Sequence, residues 1–286
     1  MNRIAVFAHY DKDSVIEDYV VYYLKELKKI ANIVVFVSDC DLADVELQKI
    51  SGIADKSIAK KHGEYDFGSY KRGYQYLKES RLLADCEELI FANDSCFGPL
   101  VSFKEIWNEM DTRNCDFWGI TQYEDTSTKL HVQSYFLVFR KTVVNSPVLD
   151  HFMNSVKHEN CKMDVIKKYE IGLSQILMKN DFAMQTFCTY DISPEVANIA
   201  YLLYRFPRVF VKTMLVKNNF YWLNRYVLKK LWREQHINYD LYMVTNYALK
   251  FLHQNMLRKI KNLKRAIFRP QITKKQIYIL GKKYRF

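Results

Sequence analysis

The sequence predicts an α/β protein: a mostly parallel sheet with helices on both faces, followed by a helical, basic C-terminal appendage. Three observations predict it. Short apolar runs alternate with segments of helical spacing, the pattern of a sheet wrapped by its own crossovers. Polar clusters recur at the carboxyl ends of those runs, where such sheets bind ligands. The charge is divided: residues 1–200 carry a net charge of −7 and residues 201–286 a net +18, with Glu234 and Asp240 the only acids in the second stretch. An acidic body joined to a basic segment follows, with the boundary placed at 195.

Residues 4–8 read as a buried strand and 15–30 as a helix, with Val15, Tyr19, Tyr22, Tyr23, Leu27 and Ile30 near helical spacing. Strands follow at 33–37 and 57–59, a helix at 69–80, a strand at 88–92 and a helix at 103–110. Strands at 116–120 and 132–139, helices at 143–157 and 166–179, and a strand at 182–187 complete the body. Beyond Pro194 the pattern turns helical, basic and aromatic, in Tyr201-Leu202-Leu203-Tyr204-Arg205-Phe206, Phe220-Tyr221-Trp222-Leu223 and Leu231-Trp232-Arg233. Such helices suit the headgroup zone of an anionic membrane. No DNA- or RNA-binding motif accompanies the charge, so nucleic acid is not the expected partner.

At 49% hydrophobic and 26% charged, with eight Gly and five Pro in 286 residues, the chain is globular rather than fibrous or disordered. No uncharged apolar run reaches the ~18 residues that span a bilayer. Met1 leads directly into the first strand without a signal-peptide pattern, which predicts a cytoplasmic protein. The six cysteines form no CxxC pair and no metal-ligand spacing with histidine, so reduced thiols are expected.

Several constellations carry possible chemistry. Glu88-Leu89-Ile90-Phe91-Ala92-Asn93-Asp94-Ser95 is an apolar strand ending in a carboxylate. Nucleotide-sugar transferases of GT-A-like fold place an Asp-x-Asp there, which holds a divalent cation against the donor diphosphate. Asp94 is the candidate ligand for Mg²⁺ or Mn²⁺, with Asn93 standing where a second carboxylate would be. A strand-end Asp that caps the next turn is the alternative. Gly63-Glu64-Tyr65-Asp66-Phe67-Gly68-Ser69-Tyr70-Lys71-Arg72-Gly73 enters a helix. Asp66 stands before the predicted helix start, Gly68 allows close backbone approach, and Lys71 and Arg72 in the first turn are placed to face a diphosphate. A helix cap with aromatic packing would produce the same pattern. Glu170 lies near a helix start, as a general base for an acceptor hydroxyl or as a carboxylate favoured by the helix dipole. His131 and Gln133 share a strand face with Ser134 beside them, suited to sugar hydroxyls or to a polar sheet edge.

Phe7-Ala8-His9-Tyr10-Asp11, Phe36-Val37-Ser38-Asp39-Cys40, Glu64-Tyr65-Asp66-Phe67-Gly68-Ser69-Tyr70-Lys71, Ala92-Asn93-Asp94-Ser95-Cys96-Phe97-Gly98-Pro99 and Gln133-Ser134-Tyr135-Phe136 resemble the rhamnan synthesis protein F family, in order over residues 3–190. The family looks like bacterial glycosyltransferases of surface polysaccharide assembly. The resemblance implies a nucleotide-sugar donor, dTDP-L-rhamnose for a rhamnose transfer, and a lipid-diphosphate-linked glycan acceptor at the inner face of the cell membrane. By the logic of a GT-A-like fold, an inverting transfer is expected, with His9, Tyr10 and Asp39 at the nucleotide and Asp66, Gly68, Lys71, Arg72 and Asn93 at the donor. Asp94 would hold a cation or a donor hydroxyl, Glu170 would take the acceptor proton, and His131, Gln133 and Ser134 would bind the acceptor. Two other readings remain at this point: a non-catalytic scaffold of a polysaccharide assembly complex, motivated by the missing second Asp, and a phospho- or nucleotidyltransferase on a related fold.

Overall fold

The computed structural model describes residues 1–124, 126–188 and 210–213, and the backbone of 277–279 and 282–284. The element order is β1 (Arg3–His9), α1 (Asp18–Lys28), β2 (Ile33–Ser38), α2 (Asp44–Gln48), β3 (Lys56–Ala59), α3 (Tyr65–Glu79), β4 (Glu88–Asn93), β5 (Cys96–Phe97) and α4 (Phe103–Met110). Then come β6 (Phe117–Tyr123), β7 (His131–Val132), β8 (Phe136–Arg140), α5 (Lys141–Val144), α6 (Pro147–Ser155) and α7 (Lys162–Val165). A π-turn (Ile166–Ile171) leads into α8 (Gly172–Lys179), followed by β9 (Met184–Cys188) and β10 (Val211–Lys212).

One sheet organises these elements, in the order β3-β2-β1-β4-β8-β6, with β7 and β9 both paired to β6. Strands β3, β2, β1 and β4 are parallel. β8 runs antiparallel between β4 and β6, and β9 runs parallel to β6. The strands β1, β2 and β4 are near-continuous apolar runs because both of their faces are covered. On one face Ile4, Val6 and Ala8 join a core with Tyr70, Tyr74 and Leu77 of α3, Leu149 and Phe152 of α6, and Leu173 and Leu177 of α8. On the other face Phe7 meets Tyr23 of α1 edge-on, ring centroids 5.1 Å apart. There Phe103 of α4 also stacks on Phe136 of β8 at 5.4 Å. Each such ring contributes about 1.5–3 kcal/mol on leaving water.

The sequence reading needs local corrections. The predicted strand over 132–139 is two strands, because Gln133, Ser134 and Tyr135 leave the β7 path before β8 begins. The helix predicted over 143–157 is broken at Ser146, whose hydroxyl accepts the Val148 N–H and caps α6 behind Pro147 at its first turn. The helix predicted from 69 begins at Tyr65, which adopts a left-handed φ of 58° as the chain turns into α3. That shift puts Asp66 inside the first turn, and Lys71 and Arg72 beyond it.

Residues 210–213, which charge alone assigns to the appendage, return to the body. β10 pairs antiparallel with β5, Val211 opposite Phe97 and Lys212 opposite Cys96. Phe210 is buried, its ring 5.2 Å from Tyr23, 5.8 Å from Tyr135 and 5.8 Å from Phe136. Gly98, at φ +151°, makes room for it: a Cβ there would stand 2.2 Å from the Phe210 ring. These elements belong to one compact unit, Met1–Val244, and a second comprises Thr245–Phe286. In the second, β11 (Ile277–Ile279) and β12 (Lys282–Tyr284) form an antiparallel pair, so those six residues are extended rather than helical as predicted. The aromatic clusters at 201–206, 220–223 and 231–233 lie outside the described residues. Among the described residues no helix is long and apolar enough to cross a membrane. Of the cysteines, Cys161 is exposed and the other five are buried, and all six are free thiols.

Phe210→Ala should lower the unfolding free energy by about 3 kcal/mol, as for a fully packed core ring. Urea denaturation measures it, and a loss under about 1 kcal/mol would contradict the packing of 210–213 on the body.

Candidate functional site

The parallel strands β1, β2 and β4 finish side by side, with His9 opposite Ser38 and Ala8 opposite Asn93. Their polar ends therefore meet at one edge of the sheet. His9 is 2% exposed. Its Nδ1 lies 2.9 Å from the Ser38 hydroxyl and its Nε2 3.8 Å from Asp94 Oδ2. Burial pushes its pKa down to about 4, against the weaker opposing pull of Asp11 and Glu46, so the ring is neutral at pH 7. Asp94 Oδ2 accepts the Tyr10 N–H at 2.8 Å, which fixes the carboxylate beside the imidazole. The Tyr10 side chain is 58% exposed at this edge.

Asn93 is buried and both ends of its amide are used. Nδ2 donates to Asp66 Oδ2 at 2.8 Å, and Oδ1 accepts the Ser95 N–H at 3.0 Å and the Ser95 hydroxyl at 2.6 Å. A carboxylate at 93 would face the Asp66 carboxylate instead of donating to it. The residue that looked like a lost metal ligand is thus the donor that holds Asp66. Asp66 caps no helix; α3 has no side-chain cap at Glu64. Its pKa is raised, first by desolvation and then by the Glu170 and Asp39 carboxylates, while Lys212 and Lys162 oppose the rise.

Glu170 reaches the same edge from the segment that leads into α8, which packs in one core with α3. It sits within the π-turn between α7 and α8, inside a continuous helical run rather than near a helix start as predicted. Such turns re-aim side chains and are frequent at functional sites. Glu170 Oε1 accepts the Ser134 N–H at 3.2 Å and lies 3.8 Å from His131 Nε2. The His131 Nδ1 donates to the Lys129 carbonyl at 2.8 Å, so Nε2 is the nitrogen turned to Glu170. The Ser134 carbonyl accepts the Tyr70 hydroxyl at 2.9 Å, and the Tyr70 ring stacks on Phe91 at 4.6 Å.

Other predicted residues are placed differently. Gln133 does not share an open face with His131: it is buried, its Oε1 accepting the Thr121 hydroxyl at 2.8 Å. Asp39 Oδ1 accepts the His62 and Gly63 N–H groups at 2.6 and 2.7 Å, pinning the loop before α3. Gly68 faces that loop, since a Cβ there would stand 2.2 Å from Glu64 Cβ and 3.0 Å from the His62 ring. Lys71 Nζ donates to the Val156 carbonyl at 2.6 Å, and Arg72 forms a two-pronged pair with Glu64 at 2.9 and 3.2 Å. Both cations, expected at a diphosphate, bond instead to the end of α6 and to the entry of α3. Ser95 and Tyr135 stand in the motifs quoted above but receive no role there, and Lys162 and Lys212 are missed. No local pattern marks the two lysines, because their place depends on contacts between distant segments.

Among the described residues no group of three His, Cys, Asp or Glu could hold a metal ion. Asp94 is the one predicted ligand, and Mg²⁺ or Mn²⁺ held by one protein carboxylate needs substrate phosphates and water for the rest. The residues therefore fit a cation that arrives with a diphosphate and not a resident metal centre. A groove of about 460 Å³ lined by Arg3, Lys29, Lys104 and Trp107 opens at the amino end of β1, and it contains none of the predicted site residues.

A family model described as rhamnan synthesis protein F matches residues 34–284, which extends the likeness through the basic segment. The virulence protein VirA of Vibrio anguillarum is 29% identical over 150 residues, 46% of this chain and 47% of that protein. The chain thus spans about half the length of the curated relatives it matches. A cytidylyltransferase from Leptospira borgpetersenii superposes with a TM-score of 0.43 at 11% identity, over 84% of this chain and 98% of that one. TarS 1-349 of S. aureus in complex with UDP superposes with a TM-score of 0.38 at 12% identity, over 95% and 76%. At these TM-scores neither superposition bears on activity.

The buried neutral imidazole sets a pH dependence. The unfolded state, with His9 near 6.5, binds more protons than the native state down to about pH 4, so this contribution is complete above 6.5 and lost as the pH falls toward 4. Urea unfolding of the wild type and His9→Asn across pH 4–7 should show the wild type losing about 3 kcal/mol more over that window. Parallel pH profiles for the two proteins would contradict the assignment.

Proposed function

The chain belongs to the rhamnan synthesis protein F family, and on that premise we propose that it is a GT-A-like glycosyltransferase whose donor lies across the carboxyl ends of β1, β2 and β4. The observation that carries the reading is the convergence of Asp94, the Asp66–Asn93 pair and Glu170 on one sheet edge, from segments far apart in sequence. A sugar transfer needs these elements: a carboxylate for the acceptor proton, polar groups to orient the donor, and a means of neutralising the departing diphosphate.

In this reading the acceptor hydroxyl oxygen attacks the anomeric carbon as the bond from that carbon to the diphosphate oxygen breaks. The acceptor proton passes to Glu170, and the electron pair leaves with the nucleoside diphosphate. The configuration at the anomeric carbon is inverted, because the single displacement comes from the opposite face. The Ser134 N–H holds Glu170 in position, and His131 lies behind it. Asp66, held by Asn93, orients donor hydroxyls. A divalent cation at Asp94, when bound with the donor, would supply charge to the leaving group.

The donor we propose is a nucleoside-diphosphate sugar, with dTDP-L-rhamnose the first candidate, and the acceptor a lipid-diphosphate-linked glycan of a cell-surface polysaccharide. The net +18 of residues 201–286 supports an anionic membrane surface, and with it a peripheral site on the cytoplasmic face. The scaffold alternative drew on Asn93 as a decayed ligand, and the use of both ends of its amide removes that motive.

Glu170→Gln keeps an acceptor for the Ser134 N–H but removes the base. Transfer should fall by a factor of about 10²–10⁴ while donor affinity stays within about twofold. Steady-state transfer and equilibrium donor binding, measured together, check this; turnover near the wild-type rate would remove Glu170 from the mechanism.

A further inference from the structure

Lys71 and Arg72 are engaged elsewhere, which leaves the proposed donor site without the cations its sequence advertised. The site is strongly acidic: Asp39, Asp66, Asp94 and Glu170 gather at the edge. A nucleoside-diphosphate sugar brings two more negative charges. His9 is neutral, and no three-group metal cluster occurs among the described residues. Apart from a cation that arrives with the donor, positive charge for the diphosphate has to come from another segment of the chain.

The chain supplies it from β10. Lys212 is opposite Cys96 in the β5–β10 ladder, and the next residue, Thr213, donates both its N–H (2.8 Å) and its hydroxyl (3.1 Å) to the Ser95 carbonyl. The backbone at 212 is thereby fixed against the Asn93-Asp94-Ser95 turn. On its other side Phe210 is locked in the aromatic core. The Lys212 side chain is half-buried, and its Nζ lies 4.6 Å from the centre of the Tyr135 ring. That ring is itself held, because the Thr121 hydroxyl donates to Gln133 and so must accept from the Tyr135 hydroxyl, at 2.9 Å. The ring face is a platform that stabilises the half-buried ammonium and fixes its position. Of the cations acting on the Asp66 carboxylate, Lys212 is the strongest, ahead of Lys162.

We infer that Lys212 is the diphosphate-binding cation of this site, which β10 delivers to the end of β4 in place of a protein-built metal centre. The inference rests on the glycosyltransferase reading and adds to it the group that receives the leaving diphosphate. It also gives the return of residues 210–213 to the body a function: the strand carries the charge that the first half of the chain lacks. A lysine ammonium suits the task, as a compact charge that can follow the diphosphate when the sugar departs.

The test uses the full chain in the presence of EDTA, with UDP, GDP and dTDP as probes and the matching nucleosides as controls, read by calorimetry. The wild type should bind at least one diphosphate more tightly than its nucleoside. Lys212→Met, which keeps the stem over Tyr135, should weaken that diphosphate at least tenfold and leave the nucleoside unchanged, and Lys212→Arg should restore most of the loss. Equal diphosphate affinity in wild type and Lys212→Met overturns the role of Lys212 and leaves the glycosyltransferase reading intact. A wild type that binds none of the three diphosphates with EDTA but binds one with Mn²⁺ also overturns only Lys212. Failure to bind any, with or without metal, overturns both. A readout independent of the variant's folding is acylation of Lys212 in the wild type, followed by mass spectrometry: the bound diphosphate should slow it at least fivefold and the nucleoside should not. Equal labelling with and without diphosphate overturns the assignment.

Discussion

Like charges crowded at the carboxyl edge of one sheet set the terms for this structure. Asp39, Asp66, Asp94 and Glu170 converge there, and each carboxylate accepts hydrogen bonds that favour it where it stands. Asp39 takes two backbone N–H groups of the loop before α3, Asp94 the Tyr10 N–H, Glu170 the Ser134 N–H, and Asp66 the Asn93 amide. A buried carboxylate without such donors costs several kcal/mol. These bonds also join segments that the sheet alone would leave independent: β1 to β4, β2 to α3, and the π-turn to the strand break after β7. The acidity is therefore part of the fold's connectivity as well as of its chemistry.

The aromatic core explains why the edge is held so firmly. Tyr70 stacks on Phe91 and hands its hydroxyl to the Ser134 carbonyl, so the residue whose N–H holds Glu170 is anchored to α3. Across the sheet, Phe7, Tyr23, Phe103, Phe136 and Phe210 form a second cluster that receives the returning segment at 210–213. Sequence-distant pieces thus reach the site through packed rings, whose burial provides the free energy to keep charged groups close.

Much of the fold was legible in the sequence, for a physical reason. β1, β2 and β4 are buried on both faces, and such strands announce themselves as continuous apolar runs with polar ends. His9, Asp39 and Asp94 were placed at those ends correctly. The errors share a cause: local spacing was used where longer-range geometry decides. The left-handed φ at Tyr65 starts α3 early and turns Asp66 from a cap into a partner of Asn93. Glu64, ahead of the helix, captures Arg72, which no spacing rule for a helix starting at 69 would pair. The π-turn at Glu170 leaves no sequence signature, and the pairing of β10 with β5 spans most of the chain. The family likeness was legible in the motifs of the body, whereas the match continues to residue 284 through a segment whose composition alone had set it apart.

The central claim is that this edge receives a nucleoside-diphosphate sugar. Thermal stabilisation of the full chain by a panel of such sugars, dTDP-L-rhamnose included, with Mn²⁺, Mg²⁺ or EDTA, tests it most directly. A ligand that binds only the native state raises stability by RT ln(1 + [L]/Kd), about 2.7 kcal/mol at a hundredfold excess over Kd. The account predicts a clear rise in Tm with at least one member of the panel, persisting in EDTA. A folded sample whose Tm is unmoved by every member, with metal and without, would contradict it.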